Sequence, residues 1–478
     1  MTKKQNTLEL EIEDLAYGGK GVARKDNFVW FVRGGIPGQK VTARIRRKKK
    51  SYGEATIDEV IEPSPHQIEA PCPYFGICGG CQLQHLDYKT QLHYKTRQTE
   101  EILRRVGEID DPPVLPALGC KEQYGYRNKM EFSFSDTRWF IDEQDNQKPE
   151  DFALGMHVPR RFDKVLDLDK CLLQSDTLNK ILKTVKTLTL KTGLPAYDTR
   201  NHIGIWRFLV LREGINTGDI MVNLYTSGQE EKQVKQVIDR IAPEIQKNHP
   251  EITSLIHTVS DKKAQIARGD HSRLLQGKNE IREKIGDNMF RISPEAFFQT
   301  NTVQTEVLFN TIADLADFKG SENVLDLYCG TGAIGIFIAD KVKNIYGIEV
   351  VESAIEDAVK NAEINRLENI CFHQADMKDS MSDVAFVTEK FTDPDAVIMD
   401  PPRGGTHLKS IQGLMKMAPP KIIYVSCNPA ILARDLNLLC KNQYTLKTVQ
   451  PVDMFPHTGH IEIVAVLDHD GHDYHDRP

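Results

Sequence analysis

The 478-residue chain has no apolar run long enough to span a bilayer, no apolar signal core behind Met1-Thr2-Lys3-Lys4-Gln5-Asn6, no internal repeat and no low-complexity tract. These absences argue against membrane, secreted, solenoid and disordered classes, and a cytoplasmic globular protein with no membrane partner is expected. Tryptophan is scarce, at three, and charge is nearly balanced, with 61 Lys and Arg against 68 Asp and Glu for a net −7. Such an average does not suit a nucleic-acid binder unless the basic residues are segregated. Cysteine stops at nine, and thiols in a long chain without a secretory signal are reduced, metal-bound or catalytic rather than disulfide-paired. What is present in quantity is length, more than one core fills, so two or three domains are expected.

The most organised stretch runs from Asn323 to Glu349. An apolar run, Val324-Leu325-Asp326-Leu327-Tyr328, breaks into Cys329-Gly330-Thr331-Gly332-Ala333-Ile334-Gly335 and a helical pattern, then Ile345-Tyr346-Gly347-Ile348-Glu349. This reads as strand, glycine turn, helix and strand, with glycines that let the backbone approach a ligand. Gly330, Gly332 and Gly335 satisfy G-x-G-x-x-G, and Glu349 follows Gly330 at close to the spacing at which an acid meets a ribose hydroxyl. A nucleoside cofactor is expected; the glycines alone admit NAD, or a plain βαβ turn. From Ser293 onward the βαβ pattern continues, which implies a mostly parallel sheet with ligands at its strands' carboxyl ends.

Residues 7–61 alternate like short strands broken at Gly18-Gly19, Gly34-Gly35 and Pro37-Gly38, the pattern of a small antiparallel barrel. Between its last two strands, Arg44-Ile45-Arg46-Arg47-Lys48-Lys49-Lys50 concentrates positive charge, as a solvated loop or as a phosphate-binding face. Strand order, Gly18-Gly19-Lys20-Gly21-Val22-Ala23 and this basic run resemble a TRAM domain, an RNA-binding barrel related to OB folds. Further on, Tyr124-Gly125-Tyr126-Arg127-Asn128-Lys129 interleaves aromatic and basic residues, which suits either stacked bases or edge-strand packing.

Cys72, Cys78 and Cys81 form a C-x5-C-x2-C array with intervening glycines. From spacing alone zinc and an iron-sulfur cluster are both open, with His85 or the distant Cys171 as fourth ligand. Later, Ala396-Val397-Ile398-Met399 is an apolar strand ending in Asp400-Pro401-Pro402-Arg403, where Arg403 takes the place of the aromatic found in amino-group methyltransferases. One unit on, Ile422-Ile423-Tyr424-Val425-Ser426-Cys427-Asn428-Pro429 puts a cysteine where a strand meets a helix start; the helix terminus should favour its thiolate, unless it is merely a small buried residue. Glu462 lies inside the apolar strand Ile461–Val466, as a general base or as half of a buried ion pair.

The D-P-P-R, S-C-N-P and H-T-G-H-I-E segments together closely resemble the RNA uracil-5-methyltransferase family, and the N-terminal barrel and cysteine array resemble its TRAM-bearing, iron-sulfur branch. The resemblance implies that Cys427 is a nucleophile adding to C6 of uracil and Glu462 the base that removes the C5 proton. It implies S-adenosyl-L-methionine contacts from Gln299, Tyr328, Gly330, Glu349, Asp376 and Asp400, with Tyr328 in place of a common phenylalanine and Ala333 where some members carry a polar side chain. It implies a [4Fe-4S] cluster on Cys72, Cys78, Cys81 and Cys171, and 23S rRNA as the partner, since TRAM and cluster together mark the ribosomal branch. The expected fold is multidomain α/β: residues 1–62 an OB-like TRAM barrel, 63–288 a central α+β iron-sulfur and RNA-binding domain, and 289–478 a Rossmann-like S-adenosylmethionine-dependent methyltransferase domain, the whole a monomer. A tRNA uridine C5 methyltransferase, a non-catalytic RNA-binding protein with a vestigial cofactor fold, and a redox enzyme are the alternatives.

Overall fold

The computed structural model describes residues 7–141, 151–161, 163–377 and 393–471. The chain divides into two compact units that do not follow chain order: Met1–Gly76, Gly80–Lys121 and Ile398–Pro478 make one, Ile77–Gly79 and Glu122–Val397 the other.

The first unit begins with six strands, β1 (Thr7–Glu11), β2 (Asp14–Ala16), β3 (Lys20–Lys25), β4 (Phe28–Arg33), β5 (Lys40–Lys48) and β6 (Tyr52–Glu62), in the order β1-β5-β6-β4-β3-β2. The alternation read from the sequence buries Leu10, Ile12, Ala23, Trp30, Val32, Val41, Ala43 and Ala55 together. Pairing is not wholly antiparallel, because β4 runs parallel to β6. Gly53 is required where the Trp30 ring packs against the backbone, since an added Cβ would sit 2.2 Å from that ring. The basic run is mostly strand rather than loop: Arg44 to Lys48 extend β5, where Arg44 pairs with Asp58 and Lys48 lies 5.0 Å from the Phe28 ring centroid. Helix α1 (Tyr88–Arg105) starts at Tyr88 because the Asp87 side chain accepts from Thr90 N and sets the cap there.

The second unit holds an eight-stranded sheet built from β7 (Lys129–Ser135), β8 (Arg138–Trp139), β9 (Ala153–His157), β10 (Val165–Asp167), β11 (Trp206–Glu213), β12 (Ile220–Thr226), β13 (Ile252–Val259) and β14 (His271–Gly277), in the order β14-β13-β12-β11-β7-β9-β10-β8. Helices α2 (Asp176–Lys191) and α3 (Glu231–Asn248) bury their apolar stripes Leu178, Ile181, Leu182, Val185 and Val234, Ile238, Ile241, Ile245. A hairpin of β15 (Ile281–Ile285) and β16 (Asn288–Ile292) precedes α4 (Thr302–Ala316). Then β17 (Asn323–Leu327), α5 (Ala333–Ile338), β18 (Asn344–Glu349), α6 (Glu352–Ile364) and β19 (Ile370–Gln374) form two successive βαβ units with all three strands parallel. Asn361 on α6 and Asn365 at its C-cap accept from Arg291 N and Met289 N and so tie the hairpin to it.

The division between units falls within β20 (Ala396–Met399). The first unit resumes with α7 (Leu408–Met417), β21 (Lys421–Ser426), α8 (Pro429–Cys440), β22 (Tyr444–Val452) and β23 (Glu462–His469), and β23 pairs antiparallel with both β21 and β22. Asp468 and His469 complete β23; residues 472–478 lie outside the described residues. Below this sheet α1 contributes a buried ion pair: Lys95 Nζ stands 2.6 Å from Asp453 Oδ1, and the Tyr88 hydroxyl donates to Asp453 Oδ2 at 2.9 Å. Both charges are sealed from water, at 3% and 0% side-chain exposure, and burial pulls the Lys95 ammonium below its ordinary range while Asp453 opposes the shift. Removing one partner leaves an uncompensated buried charge, so Asp453→Ala should destabilise the fold by about 3–5 kcal/mol, measured by urea unfolding; a loss close to zero would mean that Lys95 reaches water.

Candidate active site

Cys427 sits where β21 ends and α8 begins. Asn428 is the N-cap of α8: its side-chain oxygen accepts from Ala430 N and Ile431 N, and its Nδ2 donates to the Arg403 carbonyl at 3.3 Å. One amide side chain therefore holds both the cysteine turn and the Pro401–Arg403 turn. The latter is anchored from beneath as well, because Asp435 on α8 accepts from Thr406 N and from the Tyr424 hydroxyl, and Arg434 donates to the Thr406 carbonyl. Gly405 is confined by this packing; its φ is +77°, and an added Cβ would fall 2.0 Å from Ile431 Cγ2. Glu462 opens β23, opposite Val452 on β22 and only 6% exposed. From the barrel, the Tyr17 hydroxyl donates to the Cys427 main-chain carbonyl at 3.2 Å.

Four groups of this set share one electrostatic environment. Burial pushes the Cys427 thiol up to about 11, helped by the charges of Glu462 and Asp400 and opposed by Arg403. Burial likewise raises Glu462 well above the usual carboxylate range, with Asp400 adding to the shift and Arg403 reducing it. The expected thiolate is thus not what the folded protein favours. Pro429 has no N–H, and Asn428 itself occupies the next amides of α8, so the helix start has few donors left for sulfur. Asp400 retains some exposed surface yet is enclosed by protein atoms, and this desolvation pushes it up to about 7. An acid raised in the folded state is stable as long as it keeps its proton: the contribution is complete below the unfolded value near 4 and is lost as pH rises through about 7. Asp400→Asn should therefore unfold at a higher temperature than the unaltered protein at pH 8, with the gap much narrower at pH 5 and closing toward pH 4; an equal difference at pH 8 and pH 5 would refute a buried, raised Asp400.

The glycine turn belongs to the second unit. Tyr328, Gly330 and Gly332 all have positive φ, at 62°, 53° and 77°, so the backbone leaves β17 through three left-handed residues. Asp326 Oδ2 accepts from Gly335 N at 3.2 Å and ties β17 to α5. Glu349 closes the turn from β18, accepting from Gly330 N at 3.3 Å with one oxygen and from Val350 N and Val351 N with the other. Gln299 is half-buried, and its carbonyl accepts from Asn128 Nδ2; Asp376 is exposed beyond β19. The Asn128 contact gives part of the Tyr124–Lys129 segment a packing role.

Cys72 and Cys81 lie in the first unit, Cys78 and Cys171 in the second. All four are half-buried. Cys72 N donates to Gln84 Oε1, while Asn179 on α2 clamps Cys171 by accepting from its N–H and donating to its carbonyl. His85, the other candidate ligand, has Nε2 2.9 Å from the Gly34 carbonyl. Cysteine sulfur suits a metal or cluster by its chemistry, but among the described residues no three His, Cys, Asp or Glu side chains are grouped so as to hold a metal ion.

Comparison with known proteins decides the family. The profile described as tRNA (Uracil-5-)-methyltransferase matches residues 231–470, and that of the TRAM domain matches residues 2–57. An uncharacterized RNA methyltransferase of Halalkalibacterium halodurans is 38% identical over 97% of each chain, and one of Bacteroides thetaiotaomicron is 39% identical over 95% of this chain and all of its own. The chain belongs to the TRAM-bearing RNA uracil-5-methyltransferase family. Among solved structures, Pyrococcus abyssi tRNA (uracil-54, C5)-methyltransferase in complex with S-adenosyl-L-homocysteine is similar with a TM-score of 0.74 and 27% identity, over 96% of this chain and 100% of that one. As a member of this family, the protein is an S-adenosylmethionine-dependent RNA methyltransferase with an N-terminal TRAM domain and a C-terminal methyltransferase fold. The second unit's turn fits such a cofactor, since an added Cβ on Gly330 would meet nothing within 4 Å and the main chain there lies open. Among the described residues no helix is long and apolar enough to cross a membrane.

Sequence reasoning did not single out Tyr17 or the bridging role of Asn428. Tyr17 has no local signal, since Tyr17 and Cys427 are 410 residues apart and meet only through tertiary structure; the Asn428 link to the Arg403 carbonyl is likewise a tertiary contact.

Proposed function

We propose that the enzyme transfers a methyl group to C5 of a uridine in 23S rRNA through a covalent bond between Cys427 and C6. The observation that carries this reading is the placing of one cysteine, two pKa-raised carboxyls and one arginine in a single electrostatic set around the β21–α8 turn. C5 of uracil is too weak a nucleophile to attack a sulfonium methyl unaided. Loss of the Cys427 proton and attack of sulfur on C6 push the ring's electron pair toward O4 and make C5 an enolate carbon. S-adenosylmethionine, when bound, supplies an electrophilic methyl. Once C5 carries it, Glu462 takes the C5 proton, the C5–C6 double bond returns and the bond to Cys427 breaks. A carboxylate raised by burial is a strong base once ionised, which suits Glu462 for this last step. Asp400, pushed up to about 7, is the member of the set that exchanges a proton near neutral pH.

Gln299, Tyr328, Gly330, Glu349, Asp376 and Asp400 are the residues we assign to the methyl donor, and Cys72, Cys78, Cys81 and Cys171 to a [4Fe-4S] cluster with no step in the reaction. The cytoplasm is the proposed compartment, and the three-part division at residues 62 and 288 the proposed functional one. The presence of a TRAM barrel and cysteine array favours 23S rRNA; the likeness to a tRNA (uracil-54, C5)-methyltransferase favours tRNA as the second reading. Labelled methyl donor with separated 23S rRNA and tRNA tests this, with label expected in 5-methyluridine of the 23S fraction; label confined to tRNA would reverse the choice. Protein purified without oxygen should contain about four irons per chain, whereas colourless protein holding one zinc would remove the cluster.

A further inference from the structure

The β2–β3 turn carries Tyr17 into the candidate active site. Gly18 and Gly19 follow it with φ of 88° and 80°, a conformation that side chains resist, and Gly19 N closes the turn on the Ala16 carbonyl at 3.0 Å. This turn is packed backbone to backbone against the segment that leads into Glu462: a Cβ added to Gly459 would fall 2.5 Å from Gly18 Cα and 2.7 Å from Gly19 N. Gln82 holds the other side, accepting from Gly459 N with Oε1 while its Cβ would lie 3.0 Å from a Cβ added to Gly19. The same entry segment is fixed through His457, whose carbonyl accepts from Gln82 N and Leu83 N and whose own N–H donates to Gln91 Oε1. With its turn so held, Tyr17 reaches its hydroxyl to the Cys427 carbonyl at 3.2 Å.

We infer that Tyr17 is a positioning residue for the reaction: the TRAM barrel, beyond binding RNA, completes the active site by pinning the Cys427–Asn428 peptide from which the cysteine sulfur projects. This rests on the reading of Cys427 as nucleophile. On one side of the peptide, Ser426 and Asn428 lock each other, with Asn428 N donating to Ser426 Oγ and Ser426 Oγ to the Asn428 carbonyl. On the other, the described donor to the Cys427 carbonyl is Tyr17. Burial raises the Tyr17 phenol above its ordinary range, and Cys427 and Glu462 add to the shift while Arg403 opposes it. Tyr17 thus remains a neutral donor, and it feels the same three groups that act on one another.

Tyr17→Phe keeps the ring and removes only the hydroxyl. In single-turnover reactions with 5-fluorouridine-substituted RNA, the rate of covalent complex formation should fall about tenfold for the loss of one orienting hydrogen bond. KM for RNA and thermal midpoint should stay essentially unchanged, and Tyr17→Ala should be slower still. A raised KM with an unchanged adduct rate would make Tyr17 a part of RNA delivery alone, and a lowered midpoint with an unchanged rate would make it structural alone; either overturns the inference. If the unaltered enzyme forms no adduct, the covalent mechanism fails rather than the role of Tyr17.

Discussion

Cys427→Ala should leave neither product nor covalent complex, with methylation lowered by at least about 10⁴-fold, because a nucleophile of this kind creates the reactive carbon instead of assisting it. The structure adds a second feature to that expectation. With the thiol pushed up to about 11, the unaltered enzyme holds Cys427 protonated at neutral pH, so each unit of pH between about 7 and 9 should increase the thiolate fraction and the rate of adduct formation with it. Arg403 is the one member of the set that lowers the thiol, so an RNA phosphate drawing Arg403 away would suppress attack, and one leaving it in place would allow it. Cys427→Ala is measured by label transfer and by denaturing electrophoresis. Retained methylation of uridine would end the covalent reading, whatever the pH profile.

Glu462→Gln should stop the reaction later. Gln has nearly the shape of the carboxylic acid that burial favours at this position, so the fold and the first two bond changes should survive. What is lost is the acceptor for the C5 proton, and loss of a positioned base slows a proton transfer by about 10²–10⁴-fold. Methylated RNA should accumulate bound to the protein, carrying label and resisting denaturant. The burial of Glu462 is shared with no ion pair among the described residues; Arg403 acts on it only as a more distant charge. Release of free 5-methyluridine RNA at the normal rate would assign the proton to another group.

Much of this site was legible because its parts are local. Strand, turn, helix and strand over Asn323–Glu349 follow from an apolar run meeting three glycines, and the structure places β17, α5 and β18 there. Cys427 at a strand's end and Glu462 in the last strand follow from the apolar runs around them. The basic run was harder to place, because its charge pointed to a loop while Arg44 to Lys48 in fact continue the register of β5. The thiol's state was misjudged for a related reason: proximity to a helix start is visible in S-C-N-P, but that Asn428 occupies the first amides is a matter of side-chain geometry. Tyr17, and the inclusion of the barrel and residues 398–478 in one compact unit, depend on contacts across hundreds of residues that no periodicity encodes.

The central claim is a bond between Cys427 and C6 of a uracil that has accepted a methyl group at C5. It is tested most directly by trapping the unaltered enzyme on 5-fluorouridine RNA with labelled S-adenosylmethionine, digesting protein and RNA, and sequencing the adduct by mass spectrometry. The expected product is a single peptide containing Cys427, linked to a nucleotide that retains fluorine and carries the labelled methyl. A nucleotide linked to another cysteine, or labelled 5-methyluridine made from ordinary RNA with no trapped peptide from the fluorinated one, would contradict it.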